Sequence, residues 1–366
     1  MNSRLFILTV LCAWSATFLV SMTKLPASAL SPAEMAQCCC QSPADSWSYW
    51  TKTRTEPQAP QSFFDRLRKH EITRLTLTFD YQQLSDKKYS SEYFPATISY
   101  GNEHWDADLR IRGRYRRRVC SFPPLRIKLS KSMLRAAGLE GHNKFKLVTH
   151  CSDDFDYRNN VLREQLTYEL YRLVTGQGFR TQLVEVTYRD ARTGDAFQRL
   201  AILIEDTDEM AAAHAGEECD DCVALGAEQF VAGNPETVAL FNYMIGNSDW
   251  SAKMQRNVKI VQQQAGGKHI LVPYDFDFAA LVGVEYAVPN PNFDQVNIKD
   301  RVWIWEFETP PVHLDRVLGH FQSKETAVLQ YVENFPELDQ RTKRQITKYL
   351  TGFFQELRDG TFQSSI

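Results

Sequence analysis

The sequence predicts an α+β fold, with a sheet-rich N-terminal half followed by a mostly helical C-terminal half. Three observations lead to this. Short runs between residues 72 and 149 place apolar side chains at every second position, the period of a half-buried strand. Residues 158–175 then switch to the helical period, with Leu162, Leu166, Leu170, Leu173 and Val174 on one stripe. The tail keeps that rhythm at Ile346, Tyr349, Leu350, Phe353, Phe354 and Leu357.

The first 29 residues read as a targeting segment. Arg4 precedes the apolar stretch Leu5 to Val20, and Leu25-Pro26-Ala27-Ser28-Ala29 offers cleavage after Ala29. The other reading is an uncleaved anchor, because the apolar run nearly reaches spanning length. Only in that case is a membrane a partner. Both readings place the body in a periplasmic or secreted setting. Residues 30–62, rich in Ser, Pro, Gln and Ala, read as a flexible linker.

The strands follow in order. Leu75, Leu77 and Phe79 alternate within 72–79, and further strands are expected at 95–100, 105–113, 123–129 and 144–149. Short turns between them suggest antiparallel pairing. Gly176 and Gly178 end the long helix. Strands near 180–189 and 198–205 come next, and the acidic run Glu205-Asp206-Thr207-Asp208-Glu209 opens a short helix at Met210. A helix over 235–246 leads into two short strands, 257–262 and 269–274.

Composition excludes some functions. The chain has 366 residues, 43% hydrophobic, with a net charge of −3, so no overall basic field invites nucleic acid. Export permits disulfides. Cys120 and Cys151 flank segments of the same sheet and form the expected pair, with Cys219-Asp220-Asp221-Cys222 as a small second staple. No other Cys pair or His pair stands near that second motif, which argues against zinc. Cys38-Cys39-Cys40 lies too far from the apolar run to serve as a lipid-attachment cysteine.

The chemistry concentrates in the second half. Asp249 lies eight positions before Asn257, and Asp275 and Asp277 follow eighteen and twenty positions after it, all in apolar, strand-forming surroundings. Burying carboxylates there costs several kcal/mol each unless something positive pairs with them. On a strand, Asp275 and Asp277 would share one face, with Tyr274, Phe276 and Phe278 on the other. Carboxylates beside an Asn carbonyl suit Mg²⁺ or Mn²⁺ holding phosphates. An Asp nearby suits an acceptor hydroxyl and its proton. The plainer reading is that these acids cap turns or helices.

A second cluster is cationic. Arg110, Arg112, Arg114, Arg116 and Arg118 alternate, so one strand face could be continuously basic, either to bind phosphate or to block strand pairing at a solvated edge. Downstream, Arg126 and Lys128 share one face of Leu125-Arg126-Ile127-Lys128-Leu129. No serine-hydrolase elbow, metalloprotease helix, Walker A loop or dinucleotide fingerprint is present.

Taken in order, RGRYRRRVCSFPPLRIKL (112–129), NKFKLVTHCSDDFDYRNNVLREQLTYEL (143–170), NYMIGNSDWSAKMQRNVKIV (242–261) and VPYDFDFA (272–279) resemble the spore-coat CotH-type proteins, an atypical protein-kinase-like family. The resemblance implies a two-lobed kinase-like fold, with a sheet-rich lobe over 63–206 and a helical lobe over 207–366 carrying the site. It implies ATP, with Mg²⁺ or Mn²⁺, and protein substrates phosphorylated on Ser or Thr hydroxyls. By position, Lys128 resembles the lysine that meets the nucleotide phosphates, with Glu164 as its ion-pair partner. Arg112 and Arg114 fall in the nucleotide loop. Asp249 resembles the catalytic-loop Asp, Asn257 the metal-binding Asn, and Asp275 or Asp277 the metal-binding Asp. Where the family carries small polar residues after Arg-Gly, this chain has Arg114-Tyr115-Arg116-Arg117. That difference leaves a catalytically inactive, phosphate- or polyanion-binding relative as the alternative.

Overall fold

Alternating burial along seven strands closes the first half into a barrel. A computed structural model describes residues 61–68, 72–153 and 156–364. The expected leader, the linker up to residue 60 and Cys38–Cys40 lie outside those residues. Helix α1 (Phe63–Leu67) is capped by Ser62 and drives Phe63, Phe64 and Leu67 into the barrel core. The strands are β1 (Thr73–Phe79), β2 (Phe94–Tyr100), β3 (Glu103–Ile111), β4 (Leu125–Leu129), β5 (Lys144–Val148), β6 (Thr181–Asp190) and β7 (Ala196–Ile204). The short helices α2 (Gln82–Asp86), α3 (Arg116–Val119) and α4 (Lys131–Ala136) bridge them, and α5 (Asp156–Thr175) separates β5 from β6.

Strand order around the barrel is β1-β2-β3-β4-β5-β7-β6. Neighbours are antiparallel, as the short turns suggest, except that β6 returns beside β1 as a parallel pair, Leu75 opposite Val186. Leu77, Leu109, Ile127, Phe145, Leu147 and Val186 fill the interior. Because the side-chain period is two, Arg110, Arg126, Lys128, Lys144 and Lys146 point outward.

The second core is shared between that barrel wall and the helices. Val148, Ile202 and Ile204, on the outer faces of β5 and β7, pack with Leu162, Leu166 and Leu170 of α5. Helix α6 (Thr207–Ala213) follows, with Asp206 at its N-cap, so the acidic run opens a helix three residues before Met210. Strand β8 (Gly216–Glu218), helix α7 (Asn234–Ile245), β9 (Val258–Gln263) and β10 (His269–Pro273) come next, the strands in sheet order β10-β9-β8. The tail holds α9 (Gln340–Arg358), marked by its periodicity, and before it α8 (Leu314–Asn334). The stripe Leu314, Val317, Phe321, Val328 and Val332 buries α8 against the same core.

Two expectations fail at strand ends. β3 stops at Ile111, and Gly113 turns the chain at φ +83°, so the alternating arginines do not continue as one face. Arg116 instead enters α3 and is buried. Likewise β10 stops at Pro273, and Asp275 has φ +61°, so Asp275 and Asp277 do not lie on a strand. Disulfides join Cys120 to Cys151 and Cys219 to Cys222. They are compatible with an oxidising, extracellular or periplasmic setting.

Candidate functional site

Two turns deliver the acids. Helix α7 ends at Gly246, φ +65°, where a Cβ would lie 2.2 Å from the Tyr349 hydroxyl and 2.8 Å from Ala280 Cβ. Only glycine permits that left-handed cap and close approach. Beyond it, the Asn247 amide donates to Asn242 Oδ1 at 2.8 Å, while its Oδ1 accepts the Asp249 N–H at 3.1 Å. Trp250 is buried beneath the loop.

The β9–β10 hairpin supplies the rest. Val258 pairs with Pro273, and the Tyr274 N–H donates to the Asn257 carbonyl at 2.9 Å. That register sets Asn257 beside Tyr274 and next to Asp275. Asn257 (φ +54°) and Asp275 (φ +61°) are both left-handed, a conformation costing roughly 1–3 kcal/mol for such residues and concentrated at functional sites. The Asn257 amide donates to Asp249 twice, to its carbonyl at 2.6 Å and its carboxylate at 3.0 Å. Its Oδ1 is left as an acceptor. The Asp275 N–H donates to the Tyr168 hydroxyl at 2.8 Å, which fixes the turn to α5.

A guanidinium sits among the carboxylates. Arg116 Nε donates to Asp277 at 2.7 Å, and its Nη2 reaches both Glu164 oxygens at 3.1 and 3.0 Å and Asp275 at 3.1 Å. Tyr286 adds a hydroxyl to Asp277 at 2.8 Å, and Arg112 stands 3.6 Å from Asp275. Burial opposes the charge on Arg116, but Asp277, Glu164 and Asp275 outweigh it and hold it protonated. Burial, with Asp277 and Asp275 adding to it, pushes the Glu164 carboxyl up to about 7 against the pull of Arg116.

Asp249 is more open, with a third of its side chain exposed. Burial raises its carboxyl to about 6, with the charges of Asp277 and Asp275 adding to the effect and Arg256 opposing it. Asp249 therefore shares one electrostatic site with that pair. It remains mostly ionised at neutral pH.

The structure thus brings together Asp249, Asn257, Asp275, Asp277, Glu164 and Arg112. It does not bring Lys128 to Glu164. Lys128 lies 5.3 Å from the centre of the Tyr93 ring and lines a groove of about 970 Å³ with Thr97, Asp106 and Asp108. The ion-pair partner of Glu164 is Arg116, because the turn at Gly113 swings that residue inward. Arg114 is exposed.

The lysine buried near Arg112 is Lys146, a residue the sequence pattern does not single out. Lys144-Phe145-Lys146-Leu147-Val148 reads as a strand with solvated lysines. The outer barrel wall is covered here, and Lys146 is 2% exposed, donating to Thr207 Oγ1 at 2.7 Å with Phe179 and Tyr274 against its ammonium. Burial lowers it to about 7, helped by Arg112, Arg126 and Lys259.

No protein-family model and no curated protein matches the sequence. Among solved structures, the chain is similar to the crystal structure of the Helicobacter pylori proinflammatory kinase CtkA, at 10% identity and a TM-score of 0.34, over 64% of this chain and 90% of that one. At that level of similarity, the chemistry of the site rests on its own residues.

Proposed function

We propose that this chain is an exported, two-lobed, CotH-type kinase-like protein that transfers phosphate from a nucleotide to protein Ser or Thr hydroxyls. The observation that carries this reading is the double hydrogen bond from the Asn257 amide to Asp249, beside Asp275 and Asp277. It couples a base to a metal-ligand set through one side chain. Asp249 orients the acceptor hydroxyl and takes its proton as the oxygen attacks the terminal phosphorus and the bridging P–O bond breaks. Asn257 Oδ1 and Asp275 are the groups with capacity to hold Mg²⁺ or Mn²⁺, which when bound neutralises charge on the phosphates. Glu164 and Asp277 are buried on Arg116, and Asp275, which Arg116 also reaches at 3.1 Å, is the more exposed of the three acids. The role the resemblance gives Lys128 passes to Arg112, which stands beside Asp275, with buried Lys146 next to Arg112 in the electrostatic field.

The test is phosphate incorporation from labelled ATP with Mn²⁺, comparing wild type with Asp249→Ala and Asp275→Ala. Loss of a catalytic proton acceptor typically removes about 10²–10⁴-fold in rate, so incorporation is expected to fall by that factor in Asp249→Ala, and to fall in Asp275→Ala through loss of a metal-holding carboxylate. Equal incorporation in all three proteins removes the catalytic reading.

Arg116 favours a second reading. A guanidinium already neutralises the carboxylates that a metal would need. A catalytically inactive envelope protein that binds phosphate or a polyanion would incorporate no label in any variant while keeping its affinity for the anion.

A further inference from the structure

On the outer wall of the barrel, three cations stand side by side. Arg110 on β3 is directly opposite Arg126 on β4, and Arg126 is directly opposite Lys146 on β5. Directly opposed residues sit about 5 Å apart, where like charges destabilise a sheet. Arg112 adds to the group, its charge acting on Lys146 together with that of Arg126.

The compensation is indirect: Asp220 feels the charge of Arg126 and Asp206 that of Lys146, without a direct ion pair. Among the described residues no salt bridge reaches Arg110, Arg126 or Lys146. Arg110 and Arg126 each keep a buried Nε without a hydrogen-bond partner. Exposed Asp108 stands two residues from Arg110 on the same face of β3, directly opposite Lys128, while Asp206 and Asp220 are engaged elsewhere. Asp206 accepts from the N–H groups of Asn143, Lys144 and Asp208, and Asp220 is drawn to Lys259, which also holds Glu218. Tyr93 stacks on Arg110 at 5.2 Å and fixes its plane without neutralising it. A row of cations at cross-strand contact, with buried donors left over, is costly to a ligand-free fold and matched to a multiply charged anion.

We propose that Arg110, Arg126 and Arg112, backed by Lys146, form an oligophosphate site that works without a divalent metal. The ligand class is a linear di- or triphosphate, free or as part of a nucleotide. The three guanidiniums make the contacts, and buried Lys146, directly opposite Arg126, takes up its full charge only beside the bound anion. Metal is dispensable because Arg116 already supplies the positive charge among Glu164, Asp275 and Asp277. The proposal rests on the reading of this cleft as a place for phosphate, and not on turnover.

The experiment titrates the full exported chain with inorganic tripolyphosphate in EDTA, following both heat of binding and thermal stability. Binding and a rise in Tm are expected without metal, weakened roughly ten- to hundred-fold in Arg126→Gln and in Arg110→Gln. Ligand-free Arg126→Gln is expected to melt at or above wild type, because it removes a like charge. A residue with a purely structural role would melt lower when replaced. ATP matching tripolyphosphate, with adenosine inert, would assign the site to the phosphate chain itself. No binding in EDTA, or binding only with Mg²⁺ or Mn²⁺, overturns the proposal, as do variants that bind like wild type. Asp249→Ala is expected to bind tripolyphosphate normally. Metal-free binding without phosphate transfer would therefore uphold this site while removing the catalytic reading.

Discussion

Arg116 decides the chemistry of the site at the scale of single residues. It is a buried cation shared by three acids, an arrangement in which removing one partner leaves uncompensated charge. Arg116→Ala is expected to cost about 3–5 kcal/mol in chemical denaturation. If Asp275 and Asn257 are metal ligands, Mn²⁺ should recover part of that loss in the variant and have a smaller effect on wild type. A variant as stable as wild type would show that the ion pairs are incidental. The acids were legible in the sequence because carboxylates inside apolar, strand-forming runs demand a partner. Arg116 was not, since its alternation with Arg112 and Arg114 reads through Gly113 as strand, and only the left-handed turn there sends it inward. Lys146 was hidden for another reason. Alternation marks it as outward, and nothing local says that the outside of this strand is covered by Phe179 and Tyr274.

Among the elements, strands and long helices were readable from periodicity, and their partners were not. β1 pairs in parallel with β6 across more than a hundred residues, and no local pattern encodes that closure. The β9–β10 hairpin was readable as two short strands. The termination of β10 at Pro273 was not, and that break turns Asp275 toward Asn257. At the end of β5, His150 packs on Phe122, Tyr188 and Phe197 beside the Cys120–Cys151 disulfide. Burial lowers its pKa from 6.5 to about 4, with Arg199 helping and Asp153 opposing. Between those values the unfolded chain takes a proton that the folded chain refuses. The stability due to neutral His150 is therefore complete above pH 6.5 and is lost as pH falls toward 4, by roughly 3 kcal/mol. His150→Phe should flatten that part of the wild-type pH–stability curve. Parallel curves for the two proteins would show that His150 does not titrate in this way.

At the scale of the whole molecule, a barrel wall and a helical core share β5 and β7, and the candidate site gathers residues from both sets of elements. Glu164 comes from α5, Arg112 and Arg116 follow β3, and Asp249, Asn257 and Asp275 come from α7 and the β9–β10 hairpin. A net charge of −3 coexists with a local row of cations, so bulk composition conceals that row. Among the described residues, no helix is long and apolar enough to cross a membrane. In the proposed reaction Asp249 is the proton acceptor, separate from the groups that bind phosphate. The most direct test of that role compares nucleotide affinity and phosphate incorporation in wild type and Asp249→Asn under the same conditions. Affinity is expected to stay within about threefold of wild type while incorporation falls by about 10²-fold or more. Incorporation equal to wild type, or affinity and incorporation falling together, would contradict it.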